Sequence, residues 1–189
     1  KSIWDRFYGV TPYVKYDIFG TKTGRLGLKE GSFPILNFKK ELRSTIIPKW
    51  GSFVELDYNA AEVRTLLSLS GQPQPQEDIH EWNVTNVFAD EKSRDDAKRS
   101  FLAWLYNPNS NKIETEFYDR TAVLRKYYKD GAVETPFGRS IESDDFHALN
   151  YLLQSCSSDN CITQVNKIHR YLRHLKRSVA FIIHDSVVL

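Results

Sequence analysis

Two short apolar runs, each followed by an aspartate and standing 128 residues apart, constrain this chain more than any other feature of its sequence. Ser52-Phe53-Val54-Glu55-Leu56-Asp57-Tyr58 reads as a strand. Val179-Ala180-Phe181-Ile182-Ile183 reads as a buried strand that leads into His184-Asp185-Ser186 and a second apolar run. A carboxylate at the end of a packed strand is costly unless something compensates it, and two close together repel unless a cation sits between them. Laid side by side, the two strands make a divalent-metal site. Oxygen-only ligands favour Mg2+, and two such ions about 3.5 to 4 Å apart can clamp the attacking and leaving oxygens of a phosphoryl transfer. Taken singly, each aspartate has a plainer reading: Asp57 as a cap of the helix that follows, Asp185 as the start of a hairpin turn.

Between the two runs the pattern is mostly helical. Ala60, Val63, Leu66 and Leu67 recur at helical spacing through Leu69, so the first strand runs directly into a helix, which Gly71-Gln72-Pro73-Gln74-Pro75 interrupts. A second helix is expected from about Asp78 through Phe88. A third runs from Ser93 to Tyr106, with Ser93 as its cap and Asp95 and Asp96 in the first turn, where they complement the helix dipole. Asn107-Pro108-Asn109-Ser110-Asn111 ends it. Residues 112–130 read as a further helix, Glu134 to Ile141 as a short turn or hairpin around Pro136 and Gly138, and Phe146 to Leu175 as one or two long helices. Residues 1–30 show no convincing period and read as an extended segment ending in Thr23-Gly24-Arg25-Leu26.

Composition narrows the class without naming a function. At 189 residues with 41% hydrophobic content, the chain can bury a real core, and 26 Lys plus Arg against 24 Asp plus Glu leave any basic surface local. Cys156 and Cys161 fit neither a zinc site nor a disulfide framework and read as free thiols in a reducing compartment. No run approaches the roughly 18 apolar residues of a membrane span, and Lys1 to Val10 has no signal-peptide core, so an intracellular protein is expected. The absence of methionine, and an end inside a β-branched run, read as an internal fragment.

Asp57-Tyr58-Asn59-Ala60-Ala61-Glu62-Val63-Arg64 opens on an Asp, with a Glu five positions on and an Arg two later. Further blocks follow in order: Asp78-Ile79-His80, Arg94-Asp95-Asp96-Ala97-Lys98, Glu134-Thr135-Pro136-Phe137-Gly138-Arg139, Asn150-Tyr151-Leu152-Leu153-Gln154-Ser155 and His184-Asp185-Ser186. Preceded by Thr23-Gly24-Arg25-Leu26, this series resembles the motifs of the family A DNA polymerases, the bacterial polymerase I and phage type. The resemblance covers roughly Thr23 to Val188, and the Asn150 to Ser155 block is similar to the phage version.

The resemblance implies an α/β (α+β) polymerase core, a palm with a small antiparallel sheet plus helical fingers. Residues 1–50 would be a lead-in to the palm, 51–77 palm, 78–145 fingers and 146–189 palm again. It implies two Mg2+ ions held by Asp57, Asp185 and the Tyr58 backbone carbonyl. Glu62 would exclude a ribose 2′-hydroxyl, and His80 would reach the nucleotide phosphates. Arg94, Lys98, Leu102 and Tyr106 recur every four residues along one helical face, suited to a triphosphate at one end and a base at the other, with Lys98 also a general acid toward pyrophosphate. Arg25, Asn150, Gln154 and His184 would contact DNA.

Leu102 stands where most members have an aromatic ring, Asn107 where a glycine is common, and Ser186 where a Glu is usual. Single-subunit RNA polymerases often carry His-Asp-Ser at the last block, which makes a relative of theirs one alternative. A noncatalytic nucleic-acid-binding remnant is another. The implied partners are primed DNA template and deoxynucleoside triphosphates, in DNA replication. The dense positive charge of Lys167 to Arg177 reads either as a phosphate-backbone contact or as a solvated helix face.

Overall fold

The structure is a computed structural model and describes residues 9–107, 109–110, 113, 115–175 and 177–189. In chain order its elements are β1 (Tyr16–Asp17), β2 (Gly27–Leu28), a 3-10 turn (Ile35–Asn37), α1 (Lys40–Arg43), β3 (Glu55–Asp57), α2 (Ala61–Leu69), α3 (Ile79–Phe88), α4 (Arg94–Tyr106), α5 (Arg120–Tyr127), β4 (Tyr128–Lys129), β5 (Ala132–Glu134), β6 (Ser140–Glu142), α6 (Ala148–Arg173), β7 (Phe181–Ile183) and β8 (Ser186–Val188). They fall into two units: residues 1–58 with 158–189, and residues 59–157, the division passing through α6.

In the first unit a three-stranded antiparallel sheet has the order β3-β8-β7. Leu56 pairs with Val187 and Asp57 with Ser186; on the other side of β8, Ile183 also pairs with Ser186. Because side chains alternate across a strand, β8 serves two cores. Val188 packs with Ile183 and Ile35 on one face, while Val187 packs with Cys161 and Val165 of α6 on the other. Tyr16 caps the outer edge of β7: its hydroxyl donates to the Ile182 carbonyl at 2.7 Å and accepts from the Ile182 N–H at 2.6 Å. Burial raises the Tyr16 pKa, so the phenol stays protonated to make both bonds.

The second unit is built on helices around one larger core, in which Val63, Leu66 and Leu67 of α2 meet Ile79, Phe101, Trp104, Val123, Leu152 and Leu153. Helix starts follow local chemistry. Asp78 caps α3, accepting from the His80 and Glu81 amides, and Ser93 caps α4, accepting from the Asp96 amide. A small antiparallel sheet, β4-β5-β6, closes this unit.

Two sequence expectations change in detail. The helix expected over 112–130 is confined to Arg120–Tyr127, with 112 and 114 outside the described residues. Tyr118 is buried and donates to Asn83 Oδ1 at 2.8 Å, and Asp119 caps α5 on the Ala122 amide. Downstream, Asp130 and Gly131 both have positive φ (52° and 76°), the backbone of a tight hairpin turn, so residues 128–129 become a strand. Within residues 1–30, the extended segment folds as the β1-β2 ladder. The expected helix terminator Asn107 to Asn111 includes Pro108 and Asn111, which lie outside the described residues, as does part of Lys1 to Val10. Both cysteines are buried and neither is joined in a disulfide, and among the described residues no helix is long and apolar enough to cross a membrane.

Candidate active site

The first unit holds both aspartates. Asp57 is the last residue of β3, directly across from Ser186, and Asp185 is the second residue of the two-residue turn joining β7 to β8. The plainer reading of Asp57 does not hold: the cap position of α2 is Ala60, with no side-chain capping bond. The plainer reading of Asp185 does hold as geometry, and the turn brings its charge within electrostatic reach of Asp57. His184 opens that turn at φ 54°, a left-handed conformation that costs a non-glycine residue strain.

Negative charge gathers at this end of the sheet. The Asp57 carboxyl is held above its usual range, first because neighbouring groups displace water from it although the residue as a whole is exposed, then because Asp185 and Glu55 repel its ionised form; Lys40 and the Tyr58 amide oppose this weakly. Glu55 is a third carboxylate that sequence reasoning passed over. Ser186 Oγ lies 3.1 Å from both Glu55 Oε1 and the Ile183 carbonyl, and can give its proton to either.

Beside the pair lies a cavity of about 530 Å3 whose lining includes Leu56, Tyr58, Cys161 and Val165 together with Asp57 and Asp185. The Cys161 thiol is pushed up to about 11 by burial and by the charges of Asp185 and Asp57. It is therefore a neutral thiol near pH 7, and the ionised donors beside it are all oxygens. Among the described residues no group of three or more His, Cys, Asp or Glu side chains gathers to hold a metal. A pair of carboxylates with the remaining positions left to substrate oxygens and water is the donor set that suits Mg2+, so the residues present fit that ion.

His184 is held below its ordinary imidazole pKa by burial of its ring and by the charges of Arg25 and Arg43, against the opposing pull of Asp185. Its neighbour in that balance, Arg25, follows Gly24, whose carbonyl accepts from Ser158 Oγ on α6 at 2.9 Å. Arg25, Tyr58, Asp57, His184 and Asp185 thus all belong to the first unit.

Glu62, His80, Arg94, Lys98, Leu102, Tyr106, Asn150 and Gln154 belong to the second. Arg94 and Lys98 are exposed on α4, while Leu102 and Tyr106, one and two turns further along, are half-buried against the core. Glu62 is half-buried in the first turn of α2. His80 is 4% exposed, and its Nδ1 is buried without a hydrogen-bond partner among the described residues. Burial lowers the His80 pKa; Asp78 opposes that, and Lys98, Arg94 and Arg64 reinforce it. Gln154 Nε2 donates to Asn150 Oδ1 at 2.6 Å, fixing the two amides to each other across one turn of α6.

Asp78, read in the sequence as a helix start and as part of a block, accepts five hydrogen bonds here. Its carboxyl lies well below the usual carboxylate range, chiefly through Arg94 and despite partial burial, with Asn59 and the Glu81 and His80 amides contributing. A cap-position Asp sixteen residues before the first Arg of the next helix carries no sequence signal for that pairing. In the basic segment, Lys167, His169, Arg170, Arg173, His174 and Arg177 are exposed, and Lys176 lies outside the described residues.

No protein-family profile and no curated protein matches this sequence. Among solved structures, the POL domain of Pol1 from M. smegmatis in complex with DNA primer-template and dNTP matches with a TM-score of 0.68 at 19% identity. The match covers 97% of this chain and 43% of that one. The similarity is one of fold: a mixed α/β arrangement of helices and small antiparallel sheets shared with part of a polymerase domain.

Proposed function

We propose that this chain is the catalytic core of a DNA-directed DNA polymerase of the family A type, phage-like in its Asn150 to Ser155 block, joining deoxynucleotides to a primer 3′-hydroxyl. The observation that carries the reading is the sheet end at which Asp57 and Asp185 face one another's charge, with Lys40 a weak offset to Asp57 and no ion pair to either aspartate among the described residues. The shared fold with a domain bound to primer-template and dNTP supports it.

Asp57, Asp185 and the Tyr58 carbonyl would hold two Mg2+ ions, which when bound offset charge on the attacking and leaving oxygens. The protein's own residues then bind and orient. Arg94 and Lys98 attract the triphosphate from the exposed face of α4, and Lys98 supplies a proton to the departing pyrophosphate. Leu102 and Tyr106 present an apolar surface to the base. Leu102 offers less stacking area than an aromatic ring, which lowers base affinity. His80 contributes to the phosphate end as a neutral imidazole. Glu62 discriminates against a 2′-hydroxyl. Arg25, His184, Asn150 and Gln154 hydrogen-bond primer and template. Positioning and electrostatics, rather than covalent catalysis, supply the acceleration.

Primer extension on primed DNA with Mg2+ and deoxynucleotides tests this. Extension by the protein, lost in both Asp57→Ala and Asp185→Ala, is the expected outcome. DNA binding without extension, or extension that survives both substitutions, contradicts the proposal. A Glu62→Ala variant that begins to accept ribonucleotides separates a DNA polymerase from an RNA polymerase relative.

A further inference from the structure

The Asp78 carboxylate is divided among four partners. Oδ1 accepts from the backbone N–H groups of His80 (2.9 Å) and Glu81 (3.1 Å) and from Arg94 Nε (3.2 Å). Oδ2 accepts from Arg94 Nη2 (2.8 Å) and Asn59 Nδ2 (2.9 Å). The pair with Arg94 is thus two-pronged, the arrangement in which a guanidinium is most narrowly oriented. The segment in front of Asp78 is itself pinned: Arg64 donates to the carbonyls of Asn59 (3.0 Å), Pro75 (2.8 Å) and Glu77 (2.7 Å). Asp78 is fixed by α3 behind it and by Arg64 before it.

Arg94 is the first residue of α4 and carries five N–H donors. Asp78 takes two, and Asp95 Oδ1 approaches Nη1 at 3.4 Å, which among the described residues leaves two for another acceptor on a side chain that is 41% exposed. We propose that Asp78 is a positioning residue for nucleotide binding: it orients the Arg94 guanidinium so that the free donors meet the triphosphate without first being immobilised. The inference rests on the nucleotide role given above to α4. Two effects oppose each other. The negative charge of Asp78 weakens the attraction of Arg94 for phosphate, while prior orientation removes the entropy cost of ordering a long side chain. Solvent screens the first at this exposed site, and the second is unaffected by screening, so orientation prevails.

The two contributions of Asp78 separate by substitution. Asparagine caps a helix as well as aspartate does but offers Arg94 no anionic oxygen, whereas alanine removes both the cap and the pair. Deoxyadenosine triphosphate binding, primer-extension KM and kcat, and thermal midpoint are measured for wild type, Asp78→Asn, Asp78→Ala, Arg94→Ala and Asp78→Asn/Arg94→Ala. Asp78→Asn is expected to melt within about 2 °C of wild type. Its triphosphate affinity should fall about tenfold, the scale set by immobilising one long side chain, with the change on KM rather than kcat. In the Arg94→Ala background the same substitution should change nothing further. Asp78→Asn that binds triphosphate as tightly as wild type, or more tightly, overturns the inference, as does a loss that persists without Arg94. A wild type that binds no triphosphate overturns the role of α4 and this inference with it, a result distinct from wild-type binding left unchanged by Asp78→Asn.

Discussion

In the helical unit, Asp78 meets an arginine, an asparagine amide and two backbone N–H groups, and its carboxyl is held far toward ionisation. In the sheet-bearing unit, the Asp57 carboxyl is partly withdrawn from water and then meets Asp185 and Glu55, and it is pushed the other way. The same side chain is complete in one place and incomplete in the other. A charge whose compensation is built into the fold organises structure. A charge whose compensation is missing needs something from outside, and at two strand ends carrying oxygen donors a divalent cation is the simplest supply.

The largest effects should come from removing the incomplete pair. Asp57→Ala and Asp185→Ala should each lower primer extension by about three orders of magnitude or more, since several kcal/mol of charge stabilisation leave with the ion's ligand. Extension rates under saturating nucleotide would read this directly. Next, millimolar Mg2+ should raise the thermal midpoint of wild type, by as much as about 2.7 kcal/mol of stability at a hundredfold excess over its dissociation constant, and should not do so for Asp57→Asn. Equal Mg2+ stabilisation of both would erase the contrast with Asp78.

Acid should move the two aspartates in opposite directions. The Asp78 pKa is depressed on folding, so its contribution is present above the unfolded value of about 3.9 and is lost as pH falls through the folded value. The Asp57 pKa is raised on folding, so the penalty its charge imposes is present at neutral pH and is relieved as pH falls through the folded value. Without metal, Asp57→Asn should therefore be more stable than wild type at pH 7 and lose that advantage in acid. Asp78→Ala should be less stable at pH 7, by about 1 kcal/mol for the lost cap, and its deficit should shrink in acid. Denaturant melts carried from pH 7 down to about pH 2, into the range below the unfolded aspartate value where the Asp78 contribution is lost, would show two difference curves of opposite sign.

Of comparable or smaller size, Ala60→Gly and His184→Gly should each stabilise the fold by up to about 1 kcal/mol, because both residues sit at positive φ (50° and 54°) where glycine is unstrained. If His184→Gly stabilises while weakening primer extension, the turn holds its strain for the sake of the ring. Chemical denaturation paired with extension assays decides this.

The two carboxylate strands were legible in the sequence as short apolar runs ending in a charge, and the α4 start followed from the Ser93 cap; the antiparallel pairing of those strands came only with the family resemblance. The β4-β5 hairpin was missed although Asp130-Gly131 is a strong hairpin signal; the helical spacing upstream was extended through it. The burial of His80 and Tyr118 was invisible because a lone aromatic or imidazole on a mixed helix face does not announce which side meets the core. The Asp78–Arg94 pair joins two helix starts, and Glu55 reaches Ser186 across 131 positions, so both needed the fold.

Paramagnetic broadening of backbone amide resonances during a Mn2+ titration tests the divalent-ion site most directly, because it reads the ion's location without requiring turnover. Broadening that begins at Asp57, Tyr58, Asp185 and Ser186, saturates, is displaced by Mg2+ and vanishes in Asp57→Ala and Asp185→Ala is the expected result. Broadening that is spread over the acidic surface, or that persists at those four residues in both variants, would contradict the assignment of this sheet end as a divalent-cation site.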